Sequence, residues 1–412
     1  METSEKRIGI KEGIAWNSAG NFIYLFFQWL LTYVVIRLLG YETAGLFSLA
    51  IAITNSFFGI ASYSMRSYQV SDVNGDYSRN AYVESRIITC VGFFVVCVGY
   101  TIISGYDSYT AICVVVYSLF KVSEAMSDVF QGILQLRFRL DYVGISFSVK
   151  GLFEFLGFLI AILVFGDLLS ALIALTVVSF AIVAFYDYRK AREGQKEDLA
   201  PFKTVKALLV ACLPMALYGL LFNAAGQVPR IFIEWGMGAE ALGYYTSIAM
   251  PVVIIQVSAS FIFSPLVTPL AQYVSDGDRQ SFLALLKKVV LSIAVIAAVS
   301  FVGFYLAGEW LLMLLFGDSI APYTYLLLPL VGCTVLTALS WFIANLVTIL
   351  RQLKALVIAS FACLLIVLLG SAPFIQLFGM NGASFILIIA LAAFVAGCLV
   401  PLVRFIRDFA GN

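Results

Sequence analysis

The sequence predicts an all-α polytopic membrane protein of about 12 transmembrane helices, arranged as two parallel six-helix lobes. Composition points there first. The chain is 62% hydrophobic and only 12% charged, with a mean hydropathy of +0.99, whereas water-soluble domains carry roughly 25% charged residues. Second, apolar runs long enough to cross hydrocarbon, about 20 residues each, recur along all 412 residues. Third, the two halves repeat each other. Leu39-Gly40-Tyr41-Glu42-Thr43-Ala44-Gly45 returns as Met237-Gly238-Ala239-Glu240-Ala241-Leu242-Gly243, and Asn74-Gly75-Asp76 with Arg79 and Arg86 returns as Asp276-Gly277-Asp278 with Arg279 and Lys288. Duplicated membrane units are the common build of transporters.

Taken in order, the apolar runs place spans near 14–37, 43–66, 86–104, 109–135, 143–165 and 167–188, then 207–231, 241–271, 285–307, 322–350, 355–377 and 381–403. The first follows Lys6, Arg7 and Lys11 as a signal peptide would. It is too long for one and lacks a small-residue cleavage site, so it reads as an uncleaved span. Connections after odd spans hold Glu42, Asp107, Asp167, Glu234, Glu240, Glu309 and Asp318, with Arg37 and Arg230 nearby. Most of the 25 Lys and Arg lie in the other connections and the tails, which assigns that side and both termini to the cytosol. Six spans per half is an even number, so the halves point the same way. The lobes are residues 1–188 and 207–412. Between them, 189–206 is the most polar stretch, from Arg189 and Lys190 to Lys203 and Lys206 with Pro201 inside. It reads as a partly helical cytosolic linker on anionic headgroups. In the repeated Gly40-x-Glu42-x-x-Gly45, the first glycine suits a left-handed helix end. The acid suits the next helix N-terminus, and the second glycine suits close helix approach.

Several functions are excluded or disfavoured. A net charge of +1 offers no basic face for nucleic acid. There is no histidine, the commonest general base and metal ligand. The cysteines at 90, 97, 113, 212, 333, 363 and 398 lie in apolar runs without a CxxC pair and read as small core residues. No phosphate-binding GxxxxGK[ST] loop is present, so energy would come from a gradient or from product removal.

Span four carries the sharpest polar pattern. Tyr117, Lys121, Glu124, Asp128, Gln131 and Gln135 recur at steps of four and three, which places them within a stripe of roughly 80° on a helix. Each charge at bilayer depth costs about 2.5–3.5 kcal/mol on insertion scales, so the stripe must face protein or water. One reading is a neutralised structural cluster, Lys121 pairing with Glu124 and Asp128. Against it, aligning Leu136-Arg137 with Leu350-Arg351 gives the sister positions Val331, Val335, Ala338, Phe342, Asn345 and Ile349, which carry no charge. Span one adds Asn17, Asn21, Tyr24 and Gln28 at similar steps, span two Asn55, Ser62 and Arg66, span five Lys150 and Glu154, and span seven Asn223, Gln227 and Arg230. Together they suggest a wet cavity lined by spans 1, 2, 4, 5 and 7. Its cations would suit an anionic group, and its amides and tyrosines a polyol. Without histidine, ion coupling would fall to Glu124, Asp128 or Glu154.

The span count, the parallel repeat, the Leu-Leu-Gly40-x-Glu42-x-x-Gly45 segment opening span two and the Asn-Gly-Asp turn make the chain similar, over its whole length, to the Wzx-type O-antigen and polysaccharide flippases. These belong to the multidrug/oligosaccharidyl-lipid/polysaccharide exporter (MOP) superfamily. The resemblance implies two MATE-like lobes and a bacterial inner-membrane transporter, not an enzyme. It implies passage of an undecaprenyl-diphosphate-linked oligosaccharide, an O-antigen or capsular repeat unit, from the cytosolic to the periplasmic leaflet by alternating access. No cofactor or metal is implied. Lipid-linked oligosaccharide, membrane lipids and other polysaccharide-assembly proteins are the expected partners. Lys121, Arg230, Lys150, Arg66 and Arg37 would serve the diphosphate. Asn17, Asn21, Tyr24, Gln28, Asn55, Tyr117, Asn223 and Gln227 would face sugar. The carboxylates of spans four and five depart from the family's cationic cavities. A cation-coupled multidrug or metabolite antiporter is the alternative; a membrane-embedded polymerase or glycosyltransferase fits less well, because the connections are short.

Overall fold

The computed structural model describes residues 9–72, 75–192, 200–263 and 266–408. Lys6, Arg7, Asn74 and the middle of the linker, 193–199, lie outside them. Among the described residues the structure is helical, and eleven stretches are long and apolar enough to cross a membrane. The first, Glu12–Ser71, is 60 residues long, far beyond the ~20 a crossing needs. Gly40 breaks it, with φ 85° and ψ 177°, so it supplies two spans and brings the total to twelve. Gly238 repeats the break at φ 87° and ψ 170°. The expected left-handed helix end is corrected here. Both glycines sit in the positive-φ extended region, which essentially only glycine enters.

The chain divides into two compact units, Met1–Leu220 and Leu221–Asn412. The first holds α1 (Ile10–Ser62), α2 (Met65–Ser71), α3 (Arg79–Ile103), α4 (Ser108–Leu136), α5 (Leu140–Phe165), α6 (Leu168–Ile182) and α7 (Tyr188–Arg192), and residues 202–220 of α8 (Phe202–Met237). A single π-helical turn, Val183–Asp187, joins α6 to α7. The second holds α9 (Ala239–Val252), α10 (Ile254–Phe263), α11 (Val267–Ser275), α12 (Arg279–Phe316), α13 (Leu327–Ile349), α14 (Leu353–Phe378) and α15 (Met380–Asp408). The continuous span expected over 241–271 is broken into α9, α10 and α11. Pro251 lies in the last turn of α9, where it removes a backbone donor and crowds the preceding turn.

Four helix starts are capped by an aspartate or a serine side chain. Ser78, Asp107, Asp167 and Asp278 each accept a backbone N–H from the first turn of α3, α4, α6 and α12. The Asp107 carboxyl is held below the usual range by its bonds from Thr110. All seven cysteines are buried and free.

The duplication is visible in backbone detail. After α4, Phe138 takes φ 60°, its N–H bonding Gln135 O at 3.0 Å, and Arg139 N–H bonds Leu134 O at 3.0 Å. After α13, Arg351 takes φ 55°, its N–H bonding Thr348 O at 2.9 Å, and Gln352 N–H bonds Val347 O at 3.1 Å. The following helices, α5 and α14, are each 26 residues and run from Leu through Phe to a positive-φ glycine. Pairing Phe138 with Arg351 corrects the sequence alignment by one residue. The sisters of the span-four stripe become Leu330, Thr334, Thr337, Trp341, Ala344 and Thr348. They remain uncharged.

In the first unit, α1 lies on α5 at backbone contact. A Cβ on Gly20 would sit 2.1 Å from Gly144 O, and one on Gly144 would sit 2.2 Å from Trp16 O. One on Gly151 would sit 3.0 Å from Tyr24 Cα. Glycines at these sites let the helices approach, and the approach turns Tyr24 inward.

Candidate functional site

The first unit encloses a cavity of about 450 Å³. Its wall brings together Tyr24 of α1, Arg66 of α2, Lys121, Glu124 and Asp128 of α4, and Lys150 of α5, closed on one side by Met215 of α8. Every one of these residues belongs to the first unit.

Two carboxylates anchor the wall. Glu124 accepts from Lys121 Nζ at 2.6 Å through Oε2 and from the Tyr24 hydroxyl through Oε1. Lys121 also stands 5.2 Å from the Phe58 ring centroid, a cation–π contact. One turn along, Asp128 is held by two guanidiniums. Arg66 Nη1 donates to Oδ1 at 3.0 Å and Arg86 Nη2 to Oδ2 at 2.8 Å. Lys121 therefore pairs with Glu124, as its spacing suggests, and Asp128 pairs elsewhere. Arg66 also donates to Gln135 Oε1 at 2.9 Å and to Gln131 Oε1 at 3.3 Å.

The sequence marks Arg86 only as part of the repeated Asn-Gly-Asp segment, not as a site residue. The apolar run there begins at 86, so the residue looks like a boundary cation. Helix α3 instead starts at Arg79, which carries Arg86 two turns inward to complete burial. Its Nη1 caps the carbonyls of Ala61 and Ser62, the end of α1.

A second layer lies behind. Glu154 is fully buried and accepts from Gln28 Nε2 at 2.9 Å through Oε2. Its Oε1 has no hydrogen bond and stands 4.0 Å from Lys150 Nζ. Asp187, also missed, is fully buried and accepts from Ser127 and, at 2.6 Å, from Ser146. Gln131 Nε2 reaches the same two serines at 3.3 and 3.4 Å. The π turn adds the residue that rotates Asp187 toward α4 and α5, and nothing in the sequence marks it. Four cations (Arg66, Arg86, Lys121, Lys150) thus meet four carboxylates (Glu124, Asp128, Glu154, Asp187). Lys150 is the outlier among them. It lines the cavity, and its ion pair is the long one.

Other expected residues lie off the wall. Tyr117 is buried, edge-on to Phe47. Asn17, Asn21 and Asn55 are half-buried on α1, and Asn17 Oδ1 has no partner. Arg37 is exposed. Asn223, Gln227 and Arg230 belong to the second unit. There Asn223 is exposed, while Gln227 and Arg230 are half-buried.

Residues 10–273 match the model of a family described as polysaccharide biosynthesis protein. A capsular polysaccharide biosynthesis protein, CapF, of Staphylococcus aureus is 27% identical over 324 residues, covering 75% of this chain and 80% of that protein. Among solved structures, the lipid II flippase MurJ in an inward closed conformation superposes on 96% of this chain and 90% of its own, with a TM-score of 0.76 at 13% identity. An inward-facing multidrug resistance MATE family transporter of the MOP superfamily superposes on 97% of this chain and 99% of its own, with a TM-score of 0.71 at 14% identity. These structures establish the MATE-like fold, and the family match agrees with the resemblance read from the residues.

Proposed function

We propose, from the premise that this chain belongs to the polysaccharide biosynthesis protein family, that it is a flippase for an undecaprenyl-diphosphate-linked oligosaccharide. Family and fold together support a multi-pass membrane transporter rather than an enzyme. In this reading it sits in the bacterial inner membrane with both termini in the cytosol. It moves an O-antigen or capsular repeat unit to the periplasmic leaflet by alternating access. The named activity of MurJ, a lipid II flippase, and the capsular role of CapF are consistent with that substrate class.

The observation that carries the proposal is Lys150. A buried ammonium on a cavity wall, with its carboxylate 4.0 Å away, has donors left for a phosphate oxygen. Coulomb attraction there is stronger than in bulk water. Lys121 and Arg66, already paired, would add field rather than direct contacts. Tyr24, whose proton goes to Glu124, would offer its hydroxyl oxygen to the sugar as an acceptor. Among the four clustered carboxylates, Glu154 has the loosest ion pair, its Oε1 4.0 Å from Lys150 Nζ, which makes it the strongest candidate to carry a coupling ion.

The test is complementation of a strain lacking the gene. Wild type restores surface polysaccharide. Lys150→Gln leaves lipid-linked units accumulated on the cytosolic leaflet at normal protein level, and full complementation by that variant would remove the cation role. The antiporter reading gains if deletion leaves the glycan intact while a cation gradient drives dye export that Glu154→Gln abolishes.

A further inference from the structure

The second unit contains a larger cavity, about 800 Å³, that the transport reading does not use. It is a trough between α14 and α15. Small residues, Ala355, Ala359 and Ala362 on α14 and Gly397 on α15, line it together with the larger Ile358, Val400 and Phe405. The helices touch along its floor, since a Cβ on Gly397 would meet the Ala359 methyl at 3.3 Å. The two helices run antiparallel, so Lys354 at the start of α14 and Arg404 near the end of α15 meet at one rim. Neither forms an ion pair among the described residues. From Lys354 to Ala362 the trough runs about 12 Å along the helix, into the depth that hydrocarbon occupies.

We propose that this trough binds an anionic phospholipid of the leaflet on the Lys354 side, its phosphate between Lys354 and Arg404 and an acyl chain along the alanines. The charge distribution selects this occupant. A neutral apolar partner would leave both cations unanswered, and a soluble anion would leave the alanine trough empty. A phospholipid with net negative charge satisfies both ends, and basic pockets between membrane helices on the cytosolic side are a known way of holding such headgroups. The positive-inside bias of the sequence assigns this rim to the cytosolic leaflet. The volume falls within the roughly 300–1,000 Å³ of ligand sites.

The experiment is thermal unfolding of the purified full-length protein with phosphatidylglycerol, phosphatidylcholine or undecaprenyl phosphate added. Phosphatidylglycerol should raise Tm of the wild type more than the other two. Lys354→Gln/Arg404→Gln should lose most of that gain. Ala362→Trp, which fills the trough and keeps both cations, should lose it as well. Lys287→Gln/Lys288→Gln, two exposed cations elsewhere in this unit, should keep it. The proposal is overturned if the Lys354/Arg404 variant gains as the wild type does, if Ala362→Trp keeps the full gain, or if the Lys287/Lys288 variant loses as much. Equal stabilisation by phosphatidylcholine, or stabilisation by undecaprenyl phosphate alone, would overturn it too.

Discussion

Helices α4 and α13 end in the same turn and precede helices of the same length, yet they carry opposite chemistry. Lys121, Glu124 and Asp128 of α4 correspond to Thr334, Thr337 and Trp341 of α13. The threonines of α13 fold their hydroxyls back onto backbone carbonyls of the preceding turn, Thr334 to Leu330 O and Thr337 to Cys333 O. The difference extends to the next helix, where Lys150 and Glu154 of α5 correspond to Cys363 and Val367 of α14, all four buried. One scaffold therefore builds the same helix pair with ions or without them. The ions are not what makes the helices fold. Because burying each costs free energy, their presence in the first unit alone argues for a task beyond packing.

Breaking the difference outright should have the largest effect. Asp128→Ala strips Arg86 of its carboxylate while the guanidinium stays fully buried. A buried charge left without its partner costs about 3–5 kcal/mol. Thermal unfolding in detergent should show that loss, and Thr337→Val in the sister helix should show almost none. A smaller loss is expected from the helix contact beneath the cavity. Gly144→Val drives a side chain into the Trp16 carbonyl and should cost about 1–3 kcal/mol by overpacking, with transport reduced as Tyr24 shifts. The sister of Gly144 is Val357, a half-buried residue of α14, so the second unit already accepts the larger side chain there. If Gly144→Val unfolds like the wild type, the close approach of α1 to α5 does not position the wall.

The smallest effect concerns pH at the start of α4. The Asp107 carboxyl accepts from Tyr109 N and Thr110 N at 3.0 and 3.1 Å, and its bonds from Thr110 hold it below the usual carboxylate range. A lowered folded-state value means that the unfolded chain takes up the proton first. The stabilisation is complete above the ordinary aspartate pKa of about 3.9 and fades as pH falls through the lowered value. Asp107→Asn keeps the cap and should flatten that acid limb in a melting curve taken from neutral to low pH. An unchanged slope would assign the acid sensitivity elsewhere.

Much of this was legible in residue order. Apolar run length set the spans, because hydrocarbon thickness fixes how many helical residues a crossing needs. The steps of four and three from Tyr117 to Gln135 showed the charged stripe, because helical geometry maps spacing onto direction. Depth was harder to read. Arg86 looks like a boundary cation until Ser78 is seen to start the helix two turns earlier. Asp187 looks like the polar end of the sixth span until the π turn rotates it into the core. Partner choice also exceeded what spacing tells, since Asp128 sits one and two turns from Glu124 and Lys121 but answers two arginines from other helices. The register of the repeat slipped by one because two arginines, Arg137 and Arg351, invited alignment, whereas the backbone turn pairs Arg351 with Phe138.

The matched turns at Phe138 and Arg351 have a genetic corollary. A crossover joining the copies at these points would keep the reading frame, the hydrogen-bonded corner and the length of the next helix, so recombination between the two halves of the gene is structurally permitted at this seam. A chimera carrying α14 after α4 would then inherit an intact junction while losing Lys150 and Glu154 in a single step.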